Sequence, residues 1–178
     1  MGRLTLHIDP PRYARLRQHL LRPRPVVEEA AFLFARAHGT EPDRLDVENE
    51  QLLGAADFVI QTSHHIEVAD EAWQSAVKRA HDTRAVLVEA HSHPYGGEWA
   101  AAFSPSDLSG FGQTVPNALW RLAGRPYVAI VLTPAAFDVL IWTKREEPPT
   151  SADLLVGSER LTATGRSERI WREHAWSL

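Results

Sequence analysis

Residues 85–90, Ala-Val-Leu-Val-Glu-Ala, form an apolar run with almost no polar alternation. A strand that reads this way is covered on both faces, so it is expected in the middle of a sheet with further layers above and below. The run leads directly into His91-Ser92-His93-Pro94. Alternate side chains of a strand share a face, so His91 and His93 project the same way and are placed to grip one metal ion. Further on, Ser104-Pro105-Ser106-Asp107 reads as a helix start, with Ser104 as N-cap, Pro105 at the first helical position and Asp107 as the acidic partner of a capping box. A side chain at a helix start is rigidly held, which makes Asp107 the third expected ligand. The plain alternative is two half-exposed strand histidines beside an ordinary cap.

The chain contains no cysteine, which excludes thiol nucleophiles, thiolate ligands and disulfides. A metal must then be held by nitrogen and oxygen, and two histidines with one aspartate form a set that suits a catalytic zinc, which leaves a fourth position for water. The Ser104 hydroxyl, close by in sequence, is a candidate to stabilise an oxygen that gains negative charge during acyl transfer. With 178 residues and 44% hydrophobic content the chain is long enough for one well-buried core. A net charge of -4 argues against general nucleic-acid affinity, and the apolar runs are too short to span a membrane. A cytoplasmic protein is the expectation.

Residues 3–8 alternate like a strand, and Asp9-Pro10-Pro11 then opens a helix whose buried side carries Tyr13, Leu16 and Leu20. Arg12, Arg15, Arg17, Arg22 and Arg24 make this end basic, a solvated face or, as the sharper alternative, a dock for an acidic partner. Pro23 and Pro25 end the helix, and residues 26–35 read as a strand carrying Glu28 and Glu29. Neighbouring strand residues face opposite ways, so only one of the two can point at the metal. A turn at 38–42, a short strand at 45–47 and another at 58–61 follow, and His64 and His65 are expected as surface residues. Trp73, Ala76, Val77 and Ala80 have the spacing of one buried helical stripe. The helix from Asp107 towards Leu122 is expected to be interrupted by Gly110, Gly112 and Pro116, and strands at 127–133 and 137–143 come next. Beyond a linker after Lys144 the sequence suggests a strand at 159–164 and a helix at 168–177, whose Trp171 and Trp176 dock onto the domain.

His-Ser-His-Pro at 91–94 followed by Ser104-Pro-Ser-Asp107 resembles the motif of the JAB/MPN, or JAMM, metalloprotease family. The resemblance covers most of residues 1–145 and implies an α/β (α+β) fold of cytidine-deaminase-like type, a mixed central sheet flanked by helices. It is read as a single domain over 1–178, with a core to about 145 and a C-terminal extension at 146–178. The family cleaves isopeptide or peptide bonds after ubiquitin-like proteins with a Zn2+ ion, which implies that His91, His93 and Asp107 are ligands and Ser104 steadies the oxyanion. The family's glutamate running into an apolar strand fits Glu29 as general base, with Glu28 the main rival and Glu89 a further candidate. The loop between the ligand pairs spans ten residues, 94–103, longer than the family's usual spacing. Its Gly96, Gly97 and Trp99 are expected to bind the extended tail of the modifier, with Phe103 offering apolar surface near its end. The implied partners are a ubiquitin-like modifier and its conjugates with associated activating and conjugating enzymes, in a bacterial pathway that serves antiviral defence. A non-catalytic MPN-type scaffold and a processing enzyme for a sulfur carrier are the alternatives.

Overall fold

The computed structural model describes residues 4–37, 44–97 and 101–174. The turn read at 38–42, Trp99 and Trp176 lie outside the described residues. In chain order the elements are β1 (Thr5–Ile8), α1 (Pro10–Leu20), β2 (Ala30–Ala37), β3 (Arg44–Leu52), β4 (Phe58–Gln61), β5 (Ile66–Val68), α2 (Asp70–Asp82), β6 (Val86–Ser92), α3 (Pro105–Arg121), β7 (Tyr127–Leu132), β8 (Phe137–Trp142), β9 (Thr150–Ser151), β10 (Asp153–Val156), β11 (Glu159–Leu161) and α4 (Arg166–His174). Strands β4 and β5 pair as a small hairpin, and the others form one nine-stranded mixed sheet in the order β11-β10-β1-β3-β2-β6-β7-β8-β9. The mixed α/β architecture expected from the sequence is present.

The central position of β6 follows from its residues. Both faces of the strand are buried, with Val86, Val88 and Ala90 on one side and Leu87 on the other, so it runs between β2 (antiparallel) and β7 (parallel). One face of the sheet packs Leu6, Leu33, Val88 and Ile130 against Leu16 and Leu20 of α1. The other packs Phe32, Leu87, Ala129 and Trp142 against Ala76 and Val77 of α2, Phe111 and Val115 of α3, and Trp171 of α4. His91 and His93 have the parity of Leu87 and therefore point to the α2 and α3 side.

Helix α3 runs unbroken through Gly110, Gly112 and Pro116, where an interruption was expected. It buries Leu108, Phe111, Val115, Ala118 and Leu119. Five such side chains, at roughly 1.5–3 kcal/mol each for the larger ones, outweigh the roughly 3 kcal/mol cost of an internal proline. The C-terminal region docks as expected, and it also joins the sheet: β10 pairs parallel with β1, and β9 pairs with β8. Among the described residues no helix is long and apolar enough to cross a membrane.

Candidate metal centre

Strand β6 fixes the first two donors. Its ladder with β7 extends past its last residue, because the His93 N–H donates to the Leu132 carbonyl at 2.8 Å. Both imidazoles are thus mounted on paired backbone. The Phe103 ring meets His91 edge-on with centroids 5.5 Å apart and packs in turn on Phe111 at 5.1 Å. Phe103 is buried, so it is a wall behind His91 and offers no surface to a substrate, contrary to the expectation for that end of the loop.

The third donor comes from the start of α3. The Asp107 N–H donates to Ser104 Oγ at 3.2 Å, and the Ser104 N–H donates to Asp107 Oδ2 at 2.7 Å, completing the capping box. The loop before it is tied down by the C-terminal region: the Phe103 N–H donates to Ser167 Oγ at 2.9 Å, and the Thr164 hydroxyl donates to the Ala101 carbonyl at 2.7 Å. Ser167 and Gly165 are themselves held by their N–H groups on the buried Asp138 carboxylate, at 2.7 and 2.9 Å.

These elements bring three atoms together. The Nε2 atoms of His91 and His93 are 3.3 Å apart, and Asp107 Oδ2 lies 3.6 Å from the first and 3.5 Å from the second. Donors held at about 2.0–2.1 Å from a tetrahedral zinc are about 3.3–3.4 Å from one another. The residues therefore fit such an ion in number, chemistry and spacing. Electrostatics agree. Burial alone pushes the Asp107 carboxyl up, but the charge and hydrogen bonding of His91, with His93 and Ser104, pull it well below the usual carboxylate range. Burial pushes the His91 imidazole down, and this is outweighed by Asp107, Glu89 and Glu28, so that His91 holds its proton more tightly than an ordinary histidine.

The expectation that Glu29 faces the ligands is corrected. Ala30 of β2 pairs with His91 of β6 in antiparallel register, so two residues earlier Glu28 comes alongside His93. The parity of Ala30 and Phe32, on the α2 and α3 side, is that of Glu28. Glu29 has the parity of Ala31 and Leu33 and turns towards α1, where Arg22 forms an ion pair with its Oε1 and Gln61 Nε2 donates to its Oε2 at 3.0 Å. Both carboxylates are buried, and Glu28 feels His91, His93 and Asp107. Burial pushes Glu28 up, the two histidines oppose this, and the net direction is upward. The backbone of this pair is fastened to the ligand strand by Ser92, whose N–H donates to the Glu29 carbonyl and whose Oγ accepts the Glu29 N–H, each at 3.0 Å.

Two clefts meet at the triad. One, of about 320 Å³, is lined by Glu28, His64, His93, Tyr95, Gly96 and Ser104. His64 and His65 are exposed as expected, but His64 edges this cleft, its ring 5.2 Å from that of Tyr95, and His65 is close enough to act on Glu28. Their turn in the sheet hairpin, not their spacing, brings them there. Gly96 lines the cleft and Gly97 follows it without lining it. The second cleft, of about 440 Å³, includes Glu89, His91 and Asp107. The arginines of α1 and of the turn after it are largely engaged, with Arg15 on Glu50, Arg17 on the Pro134 carbonyl and Arg22 on Glu29.

No family model and no curated protein matches the chain. Among solved structures, the solution structure of protein DSY2949 from Desulfitobacterium hafniense is similar to it, with 19% sequence identity, a TM-score of 0.54, and coverage of 86% of this chain and 95% of that one. At that identity the likeness speaks for the fold alone.

Proposed function

We propose that this chain is a zinc-dependent hydrolase of the JAB/MPN type that cleaves the amide bond following the C-terminus of a ubiquitin-like modifier. The observation that carries the reading is the set of three donor atoms 3.3 to 3.6 Å apart with a buried carboxylate, Glu28, facing them. A mixed sheet with the ligand strand at its centre and the third ligand on the following helix supports the JAB/MPN fold.

His91 Nε2, His93 Nε2 and Asp107 Oδ2 would hold the ion. Zinc bound there supplies a Lewis acid, which acidifies water to a pKa of about 7 and polarises the scissile carbonyl. Glu28 takes a proton from the attacking water as its oxygen bonds to the carbonyl carbon. Ser104 accepts the Asp107 N–H on its Oγ and so keeps its own proton to donate to the carbonyl oxygen as that atom gains charge. Glu28 then hands its proton to the leaving nitrogen, the C–N bond breaks, and the products are a carboxylic acid and an amine. The substrates are modifier conjugates, made by activating and conjugating enzymes of a bacterial pathway with a role in antiviral defence, or unprocessed precursors of the modifier.

Incubation of the purified protein with fusions of ubiquitin-like and sulfur-carrier proteins, with and without a chelator, tests the reading. Cleavage after the modifier's terminal residue that chelation stops and zinc restores is the expected result. Stable binding without cleavage under zinc would overturn it in favour of a scaffold.

A further inference from the structure

A third cleft opens at the other end of the sheet from the triad. Ala35 of β2 pairs with Val86 at the start of β6, about 17 Å along the strand from His91 at roughly 3.3 Å per residue. The cleft there, of about 210 Å³, is lined by Phe34, Arg36, Glu48, Asn49, Arg79 and Arg84 with their neighbours. Phe34 pairs with Asn49 and Ala35 with Val47, so Glu48 is the extra residue of a bulge, which is how two successive strand residues come to line one cleft. Three guanidinium groups thus share the cleft with one carboxylate, in a chain whose net charge is -4.

That carboxylate is already engaged. Arg36 Nε donates to Glu48 Oε1 at 2.6 Å and Arg36 Nη2 to Glu48 Oε2 at 2.9 Å, a bidentate pair that uses both oxygens. Among the described residues no carboxylate pairs with Arg79 or Arg84, so two positive charges stay uncompensated. Arg79 is placed by an aromatic ring: its guanidinium carbon lies 4.2 Å from the centroid of the buried Phe34. Stacking fixes the plane of the fork and leaves its N–H edge to hydrogen-bond.

Arg84 stands where a glycine is usual. It follows Thr83, the C-cap of α2, with a φ of 56°, a left-handed conformation in which an L side chain crowds the next carbonyl. The turn is firmly held, since the Ala85 N–H donates to the Ala80 carbonyl at 2.9 Å and Arg125 Nε donates to the Ala85 carbonyl at 3.0 Å. Among the described residues the Arg84 side chain has no hydrogen-bond acceptor to repay the crowding, and an arginine kept in such a conformation points to a role for its side chain. Burial first, and then the Arg84 charge, hold Arg125 below the ordinary arginine range, so the turn sets two cations against each other.

One fork satisfies a carboxylate, as Glu48 shows. Two further forks, with the Asn49 amide beside them, call for an anion with three acceptor oxygens and nearly two charges, which is a phosphate monoester. The cleft is smaller than the roughly 300–1,000 Å³ of sites for drug-sized ligands, so the rest of the molecule is small. We propose that this cleft binds the phosphate group of a small phosphomonoester, with Arg79 and Arg84 as its two forks and Asn49 as a neutral donor.

Isothermal titration calorimetry on the chelated full chain, at about pH 7.5 where a phosphomonoester is close to a dianion, tests this with inorganic phosphate, glycerol phosphate, glycerol and a phosphoserine hexapeptide. Phosphate and glycerol phosphate are expected to bind saturably with a Kd of about 1 mM or tighter, the peptide more weakly and glycerol not at all. Arg79→Gln and Arg84→Gly should each weaken glycerol phosphate about tenfold or more, while Arg84→Gly, relieved of the left-handed crowding, melts no lower than the wild type. Lys78→Gln removes an exposed cation on the same helix outside the cleft and should change binding less than about threefold, because such a charge is screened. Absence of saturable binding, a loss in Lys78→Gln equal to that in Arg79→Gln, full binding by Arg84→Gly, or a peptide that binds tighter than glycerol phosphate overturns the proposal. Neither zinc nor a cleaved bond enters the measurement, so failure here is separate from failure of the fusions to be hydrolysed.

Discussion

Two adjacent carboxylates at the entrance to β2 meet different fates because of parity alone. Glu28 faces the ligand histidines, and Glu29 is spent on Arg22 and Gln61. Glu28→Gln is accordingly expected to bind zinc with wild-type stoichiometry and lose turnover by about 10²–10⁴, the usual contribution of a general base. Glu29→Gln should keep turnover within severalfold while lowering the melting temperature; parallel metal analysis and fusion cleavage check both. The sequence could not choose between them because β2 is apolar on both faces, Ala30, Phe32 and Phe34 on one and Ala31, Leu33 and Ala35 on the other, so no alternation marked which side held the metal. His91 and His93 were legible because two residues apart on a strand have one face whatever the register. His91 also sets a pH dependence. In the metal-free protein its raised pKa contributes stability that is present below about pH 6.5 and lost as pH rises through the raised value. The lowered Asp107 contributes stability that is present above about pH 4 and lost as pH falls through its lowered value. These two groups favour the chelated protein most between about pH 4 and 6.5, and the raised Glu28 and Glu89, whose contribution is lost as pH rises, hold the melting maximum to the acid side of that window. Zinc must displace the His91 proton, so its apparent affinity should fall about tenfold per pH unit of acidification, beginning above the ordinary histidine range. Melting curves and zinc titrations across pH measure the two opposed trends.

At the level of elements, the centre depends on how β6 and the start of α3 are held together. The cap was legible in Ser104-Pro-Ser-Asp107, and the cap geometry is what aims Asp107 at the histidines. Ser104→Ala should cost about 1 kcal/mol of stability, as loss of an N-cap does, weaken zinc binding through a loosened Asp107, and slow hydrolysis; calorimetry and competition with a chromophoric chelator separate these. The tether from α4 was not legible, since nothing in Arg-Ser-Glu at 166–168 announces a hydroxyl that accepts the Phe103 N–H across the fold. Ser167→Ala leaves that buried N–H without its partner, and the expected cost is about 1–3 kcal/mol. Zinc affinity should fall with it although residue 167 is no ligand. Unchanged stability in a denaturant titration would show that the tether is idle. The unbroken α3 was also hidden, because its glycines and Pro116 are local signals while the burial that overrides them is tertiary.

Across the whole molecule, the sheet curls until its ends come from neighbouring residues: β9 and β10 are separated by Ala152 alone yet lie at opposite ends of the strand order, apart from β11. The C-terminal region thereby covers β1 on one side and β8 on the other, and Trp171 continues the row of rings through Trp142 and Phe111 to Phe103 behind His91. Such pairing is invisible in a sequence whose strands here are short and half polar. Removing residues 150–174 should expose two strand edges and an aromatic face, giving an aggregating protein that sedimentation would reveal. The account as a whole stands on three side chains sharing one ion. Anomalous diffraction at the zinc absorption edge from crystals of the zinc-loaded protein tests this most directly. The prediction is one strong peak about 2.0–2.1 Å from His91 Nε2, His93 Nε2 and Asp107 Oδ2, whereas an empty triad, or a zinc peak elsewhere with these three atoms unliganded, would contradict it.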